Sequence, residues 1–177
     1  GYCNLFDEEA TGRFGPYRKQ TDTAIQYKEL VPAPRGPGFE KNLREQFARR
    51  KKQGFVYVEL DNPDAYSVVD VLRAVRLAGE YGLKVIAKNP LLVEGDVTAY
   101  VAASHAVIVE RGAGNPRDME ELRRKAGKPN MQIWFVSFGS GNSWAMSTYM
   151  AIRKGDYRNM FVTHSTRGEY GSSVDIP

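Results

Sequence analysis

Seven short apolar runs punctuate the chain: Tyr2–Phe6, Ala24–Leu30, Phe55–Glu59, Lys84–Lys88, Ala106–Glu110, Gln132–Phe138 and Met160–His164. Most are continuous and not alternating, the pattern of strands covered on both faces in a parallel sheet. Stretches of helical spacing separate most of them. Glu40 to Gln53 carries Leu43 and Phe47 four apart, and Gly54 is placed to stop it. Ser67 to Tyr81 is the clearest helix. Ser67 and Asp70 have the spacing of a capping box, and Val68, Val71, Leu72 and Val75 form one apolar stripe before Gly82. Asn115-Pro116 opens a third helix with Met119 and Leu122 on its stripe and Gly127 at its end. Asn142 to Lys154 reads as a fourth, Val93 to Ala103 as a fifth. Val31 to Phe39, rich in proline and glycine, reads as an irregular loop.

Strand and helix thus alternate at roughly 20 to 30 residues, the spacing of successive crossover units. The expectation is a single α/β domain over residues 1–177, a (β/α)8 TIM-barrel-like fold. Seven strands are one short of closure at about eight. The chain opens on Gly1, inside what reads as a strand, so a first strand is expected to be lacking from this chain.

Composition narrows the classes. With 42% hydrophobic and 26% charged residues, the chain is neither disordered nor collagen-like. A net charge of +4 is too mild for a dedicated nucleic-acid binder, and the basic run Arg49-Arg50-Lys51-Lys52 complements a helix C-terminus. One cysteine, Cys3, rules out an internal disulfide, and one cysteine with two scattered histidines offers no zinc site. No metal or cofactor is expected. No apolar run reaches membrane-spanning length, and the first residues lack the pattern of a signal peptide.

The chemistry concentrates where strands end. Glu59, Asp61 and Asn62 follow the third run, Lys88 and Asn89 the fourth, Glu110 and Arg111 the fifth. Ser137, Ser140 and Asn142 follow the sixth, and His164, Arg167, Glu169 and Tyr170 the seventh. In a parallel barrel these positions share the rim that carries active sites. A carboxylate closing a buried strand is costly unless paired or used. Asp61 and Glu110 each close such a strand, and two carboxyl groups astride one bond are what glycoside cleavage requires. Either acid equally suits a helix cap or an ion pair, with Arg111 and Lys88 as partners. His164 is placed to meet a substrate. Tyr66, Trp144 and Tyr170 lie near the same rim, where they suit packing as well as stacking on sugar rings, whereas His105 precedes its strand at the opposite rim. Gly139-Ser140-Gly141-Asn142 resembles part of a phosphate-cradling loop but lacks the P-loop lysine.

The run Gly54-Phe55-Val56-Tyr57-Val58-Glu59-Leu60-Asp61-Asn62-Pro63-Asp64-Ala65-Tyr66 resembles the signature of the glycoside hydrolase family 114-like barrels, which include endo-α-1,4-polygalactosaminidases. The likeness continues through Gly82-Leu83-Lys84-Val85-Ile86-Ala87-Lys88-Asn89 and Ala106 to Glu110, and covers about Phe47 to Phe138. Leu60 replaces the family's proline, and Val109 and Arg111 replace its Asn and Gln. The resemblance implies a glycosidase that cleaves an α-linked, amino-sugar-containing polysaccharide. It makes Asp61 and Glu110 the catalytic pair, nucleophile and acid/base respectively. Glu59, Asn62, Tyr66, Lys88, Asn89, Arg111 and His164 then bind substrate. Arg111 would repel a cationic sugar, so neutral, acetylated or acidic sugars stay open. The expected partner is a poly- or oligosaccharide and not a nucleic acid, and the resemblance implies a secreted or periplasmic setting. The alternative is a non-catalytic carbohydrate-binding or assembly module on a degenerate barrel.

Overall fold

The computed structural model of the protein describes residues 2–4, 37–61, 63, 66–110, 112–138, 143–165 and 173–175. Among these, seven strands lie side by side in sequence order: β1 (Tyr2–Asn4), β2 (Tyr57–Asp61), β3 (Lys84–Lys88), β4 (Ala106–Glu110), β5 (Gln132–Phe138), β6 (Met160–Ser165) and β7 (Ser173–Asp175). The first six are parallel. Helices α1 (Pro37–Lys52), α2 (Val68–Glu80), α3 (Thr98–Ala103), α4 (Pro116–Lys125) and α5 (Ser143–Gly155) fall between successive strands from β1 to β6.

Several expectations need correction. β7 runs antiparallel to β6, so the sheet is not wholly parallel. Such a strand needs only a short return connection, and its three residues carry no apolar run to announce it. The anticipated strand Ala24–Leu30 lies outside the described residues. α1 begins at Pro37, within the stretch read as a loop, because proline is tolerated in the first turn, where its missing N–H has no helical partner. The anticipated helix from Val93 to Ala103 is broken. A 3-10 turn occupies Pro90–Leu92, and Gly95 at φ +109° adopts a backbone that interrupts any helix before α3. β2 starts at Tyr57, not Phe55, and runs on to Asp61, which places that acid inside the strand.

Burial alternates along β4 and over most of β3, whereas β2 is buried from Val58 to Asp61. Val58, Leu60, Val85, Ala87, Val107, Val109, Ile133 and Phe135 are buried, and they make a core with Leu43, Phe47, Val71, Leu77, Val101 and Met119 of the helices. Of the residues between them, Tyr57 is 42% and Phe161 38% exposed, whereas Glu59, Asp61 and Lys88 are buried. The sheet therefore has an outer face packed on helices and an inner face that is only partly covered.

Two local devices fix the helices. Ser67 caps α2, accepting from the Asp70 N–H at 3.4 Å while its hydroxyl donates to the Asp70 carboxylate at 2.7 Å. The Asp70 side chain thus binds the cap's hydroxyl, not the cap's N–H as in a full capping box. Arg123 of α4 is buried and donates to the carbonyls of Met131 and Arg158, tying the helix to the entries of β5 and β6.

Ser67→Ala removes the cap and strands the buried Asp70 carboxylate. It is expected to cost about 1 to 2 kcal/mol, read as a lower urea midpoint at unchanged slope. An unchanged midpoint would show that Ser67 contributes nothing to α2.

Candidate functional site

Side chains alternate along a strand, so one parity selects one face. On β2 the inner parity is Tyr57, Glu59 and Asp61. The pairings Glu59 with Ile86 and Lys88 with Ile108 place Lys84, Ile86 and Lys88, then Ala106, Ile108 and Glu110, on the same face. Four charged residues thus meet at the C-terminal ends of three adjacent strands. Lys88 is their centre. Its Nζ lies 2.6 Å from Asp61 Oδ1, 2.9 Å from Glu110 Oε1 and 3.5 Å from Glu59 Oε1. Glu59 is level with Ile86, one layer below Lys88, and Glu110 is one layer above. Glu59, Asp61 and Lys88 are each less than 10% exposed, whereas the Glu110 side chain keeps 30% of its surface in solvent.

Asn89 fixes Glu110 from the neighbouring strand end. Its backbone is left-handed, at φ 44° and ψ 48°, a conformation in which asparagine is among the few tolerated non-glycine residues. The turn lets its Oδ1 accept from the Glu110 N–H at 2.8 Å while its Nδ2 donates to Glu110 Oε2 at 3.2 Å. Its own N–H donates to the Ile108 carbonyl at 2.8 Å. Pro90 follows, and a residue before proline is disfavoured in the right-handed helical region. Sequence therefore sets this corner locally.

Burial pushes the Glu59 carboxyl above the ordinary glutamate value, the Lys88 ammonium works against that rise, and the Asp61 charge adds to it. For Lys88, burial is the largest single influence and favours loss of the proton. Hydrogen bonds and charge from Asp61 and Glu110, with the charge of Glu59, outweigh it and hold the ammonium well above the usual lysine range. Lys88 is therefore a fixed cation at neutral pH, unsuited to act as a base or an amine nucleophile. Among the described residues, no group of three or more His, Cys, Asp or Glu side chains is arranged to hold a metal ion.

Beside the charged residues, Tyr57, Ile86, Ile108 and Trp134 line a hollow of about 430 Å³ on the same face. Trp134 stacks on Phe161 at 4.6 Å, so aromatic surface continues towards β6. A second hollow of about 520 Å³ lies by the end of α5, among Tyr149, Arg153 and Tyr157, and none of the four charged residues lines it.

The structure thus brings together Glu59, Asp61, Lys88, Asn89 and Glu110, and separates two other expected members. His164 has the parity of Met160 and Val162, is buried, and pairs in register with Ser137; two residues earlier on β5, Phe135 contacts Trp144 of α5. His164 therefore faces the helix layer, not the inner face. Tyr66 is buried against Phe39 of α1, at 5.3 Å between rings, and offers no open ring to a sugar. His105 sits at the other rim, edge-on to Tyr57. Asn62, Arg111, Ser140, Asn142, Arg167, Glu169, Tyr170 and the whole Gly139–Asn142 loop lie outside the described residues.

No protein-family model and no curated protein matches this chain. Among solved structures, the chain resembles the glycoside hydrolase domain of PelA from Pseudomonas aeruginosa. The TM-score is 0.55 at 15% sequence identity, over 98% of this chain and 80% of that one. At that identity the likeness concerns the fold. The alternating strands and helices on a largely parallel sheet, with this neighbour, make the chain an α/β protein of the TIM-barrel type.

The raised Glu59 value makes stability depend on pH. The unfolded chain loses this proton near 4.5, while the native state holds it to higher pH. Wild type therefore loses stability as pH rises from about 4.5 through the native value, because the native state binds more protons there. Glu59→Gln has no such proton to lose. Its melting temperature relative to wild type is expected to climb from pH 4.5 towards neutrality; a flat difference over that range would refute the burial argument.

Proposed function

We propose that the protein is a glycoside hydrolase that uses Asp61 and Glu110 as its two carboxyl groups. The observation that carries this reading is their convergence. They reach one lysine from the ends of two different strands, at 2.6 and 2.9 Å, so the bonded oxygens stand no more than about 5.5 Å apart. Retaining glycosidases hold their carboxyl groups about 5 to 5.5 Å apart and inverting ones about 6.5 to 9.5 Å, so the short separation favours retention. The PelA neighbour, itself a glycoside hydrolase domain, supports the choice of reaction class.

In this reading Asp61, the more buried of the two, attacks the anomeric carbon while Glu110 gives a proton to the leaving oxygen. The glycosidic bond breaks, and the sugar is held as an ester of Asp61. Glu110, now ionised, takes a proton from water, whose oxygen displaces Asp61 and regenerates both groups. Glu110 suits the proton-exchanging role because it has access to solvent and Asn89 holds its backbone and carboxylate. Tyr57, Trp134 and Phe161 offer aromatic faces on the same side of the sheet for sugar rings. The proposed substrate is an α-linked polysaccharide, with amino sugars among the candidates.

Purified protein should shorten such a polysaccharide, with product seen by mass spectrometry. Asp61→Asn and Glu110→Gln should each lower kcat by at least about 100-fold while leaving the fold intact by circular dichroism. Full activity in both variants would end the assignment. Saturable glycan binding with no change in chain length would identify a carbohydrate-binding module in place of an enzyme.

A further inference from the structure

We propose that Lys88 is the positioning residue of this site: it clamps Asp61 and Glu110 into register and takes no part in binding substrate. The inference rests on the hydrolase reading for its catalytic consequence, but its geometry stands independently. An ammonium has three N–H donors and no acceptor. Around Lys88 stand three carboxylate oxygens, two in hydrogen-bonding contact and a third at 3.5 Å. Every donor faces a carboxylate, so none is left to orient a ligand. The side chain is 8% exposed, which closes the approach a substrate group would need. The expectation that Lys88 contacts substrate gives way to a role exerted through other residues.

The three acids come from different heights on two strands: Glu59 below and Asp61 beside on β2, Glu110 above on β4. Without the lysine, like charges within a few ångströms separate or take up protons. With it, the two acids of the proposed reaction share one anchor, and the separation between them is set by the reach of a single nitrogen. Glu59 supplies the third contact from beneath and keeps the ammonium from swinging outward. Its proton inventory depends on Lys88, which opposes the rise that burial imposes.

The test compares wild type, Lys88→Met and Lys88→Arg by steady-state kinetics across pH, and by carbon-detected NMR titration of the Glu59 carboxyl. Lys88→Met should lower kcat at least tenfold while KM changes less than about threefold, the signature of lost transition-state geometry and not of lost binding. The acidic limb of its pH profile should move up by about one unit, and the Glu59 carboxyl should titrate at higher pH than in wild type. Lys88→Arg keeps the charge but not the single-nitrogen geometry, so its acidic limb and the Glu59 titration should move less than in Lys88→Met. A Lys88→Met variant with raised KM and intact kcat would overturn the proposal, because the lysine would then be binding substrate. If Lys88→Met does not fold, Lys88→Arg carries the test, and a raised KM with intact kcat in it overturns the clamp. If wild type cleaves no glycan, the hydrolase reading falls by itself. The Glu59 titration still decides the clamp: a rise in Lys88→Met sustains it, and an unchanged value removes it.

Discussion

A cation taken out of water must find enough partners to replace its hydration, and the site is organised around that requirement. Removing an ammonium from solvent costs several kcal/mol even after the surroundings relax, so one carboxylate at ordinary geometry does not suffice. Lys88 has three acids about it, and the chain supplies them through the register of the sheet. Adjacent strands in register place same-parity side chains in stacked layers, so three short strands deliver four charges to one point. The helices enter indirectly. They bury Val58, Leu60, Val85, Ala87, Val107 and Val109 on the outer face, and that burial fixes which parity is left to point inward.

The same logic explains what the sequence discloses. β3, β4 and β5 and helices α2 and α4 are legible because each carries its own local signal: a continuous apolar run, or a cap with a stripe and a terminal glycine. Asp61 and Glu110 are legible as a pair because both close such runs. The central place of Lys88 is not, since it depends on the register between strands, and no segment contains that information alone. His164 shows the difference most clearly. It lies near the end of its strand, as Glu110 does, but its parity is that of the helix-facing Met160 and Val162. Position at a strand end predicts the rim; only pairing predicts the face. Tyr66 fails for a related reason, because Phe39 approaches it from α1, which lies far away in sequence. β7 was hidden by being short and polar.

The fold also separates two kinds of electrostatics. On the helix layer, Glu40 and Glu80 meet Arg44, Arg73 and Arg76 in pairs with substantial exposure. Such contacts are screened by solvent and contribute little individually. The Lys88 cluster is shielded from water on most sides, so deleting one member leaves a buried charge without its counterpart. Equal distances at the two places therefore stand for unequal energies. An ion pair's meaning in this protein is read from its exposure before its length.

Asn89 imposes a restriction on how this corner can change over time. The position must satisfy a left-handed main chain and a glutamate reached by two opposite hydrogen bonds, one accepted and one donated. Glycine meets the first demand and neither of the others. Aspartate meets the first and accepts from the amide, but turns the contact with Glu110 Oε2 into repulsion. Glutamine carries the right groups on a stem one carbon longer. Asparagine fits all three conditions, so a lineage that keeps Glu110 in use has few neutral paths through residue 89. Drift at that site would mark the point where the acid had already fallen out of service.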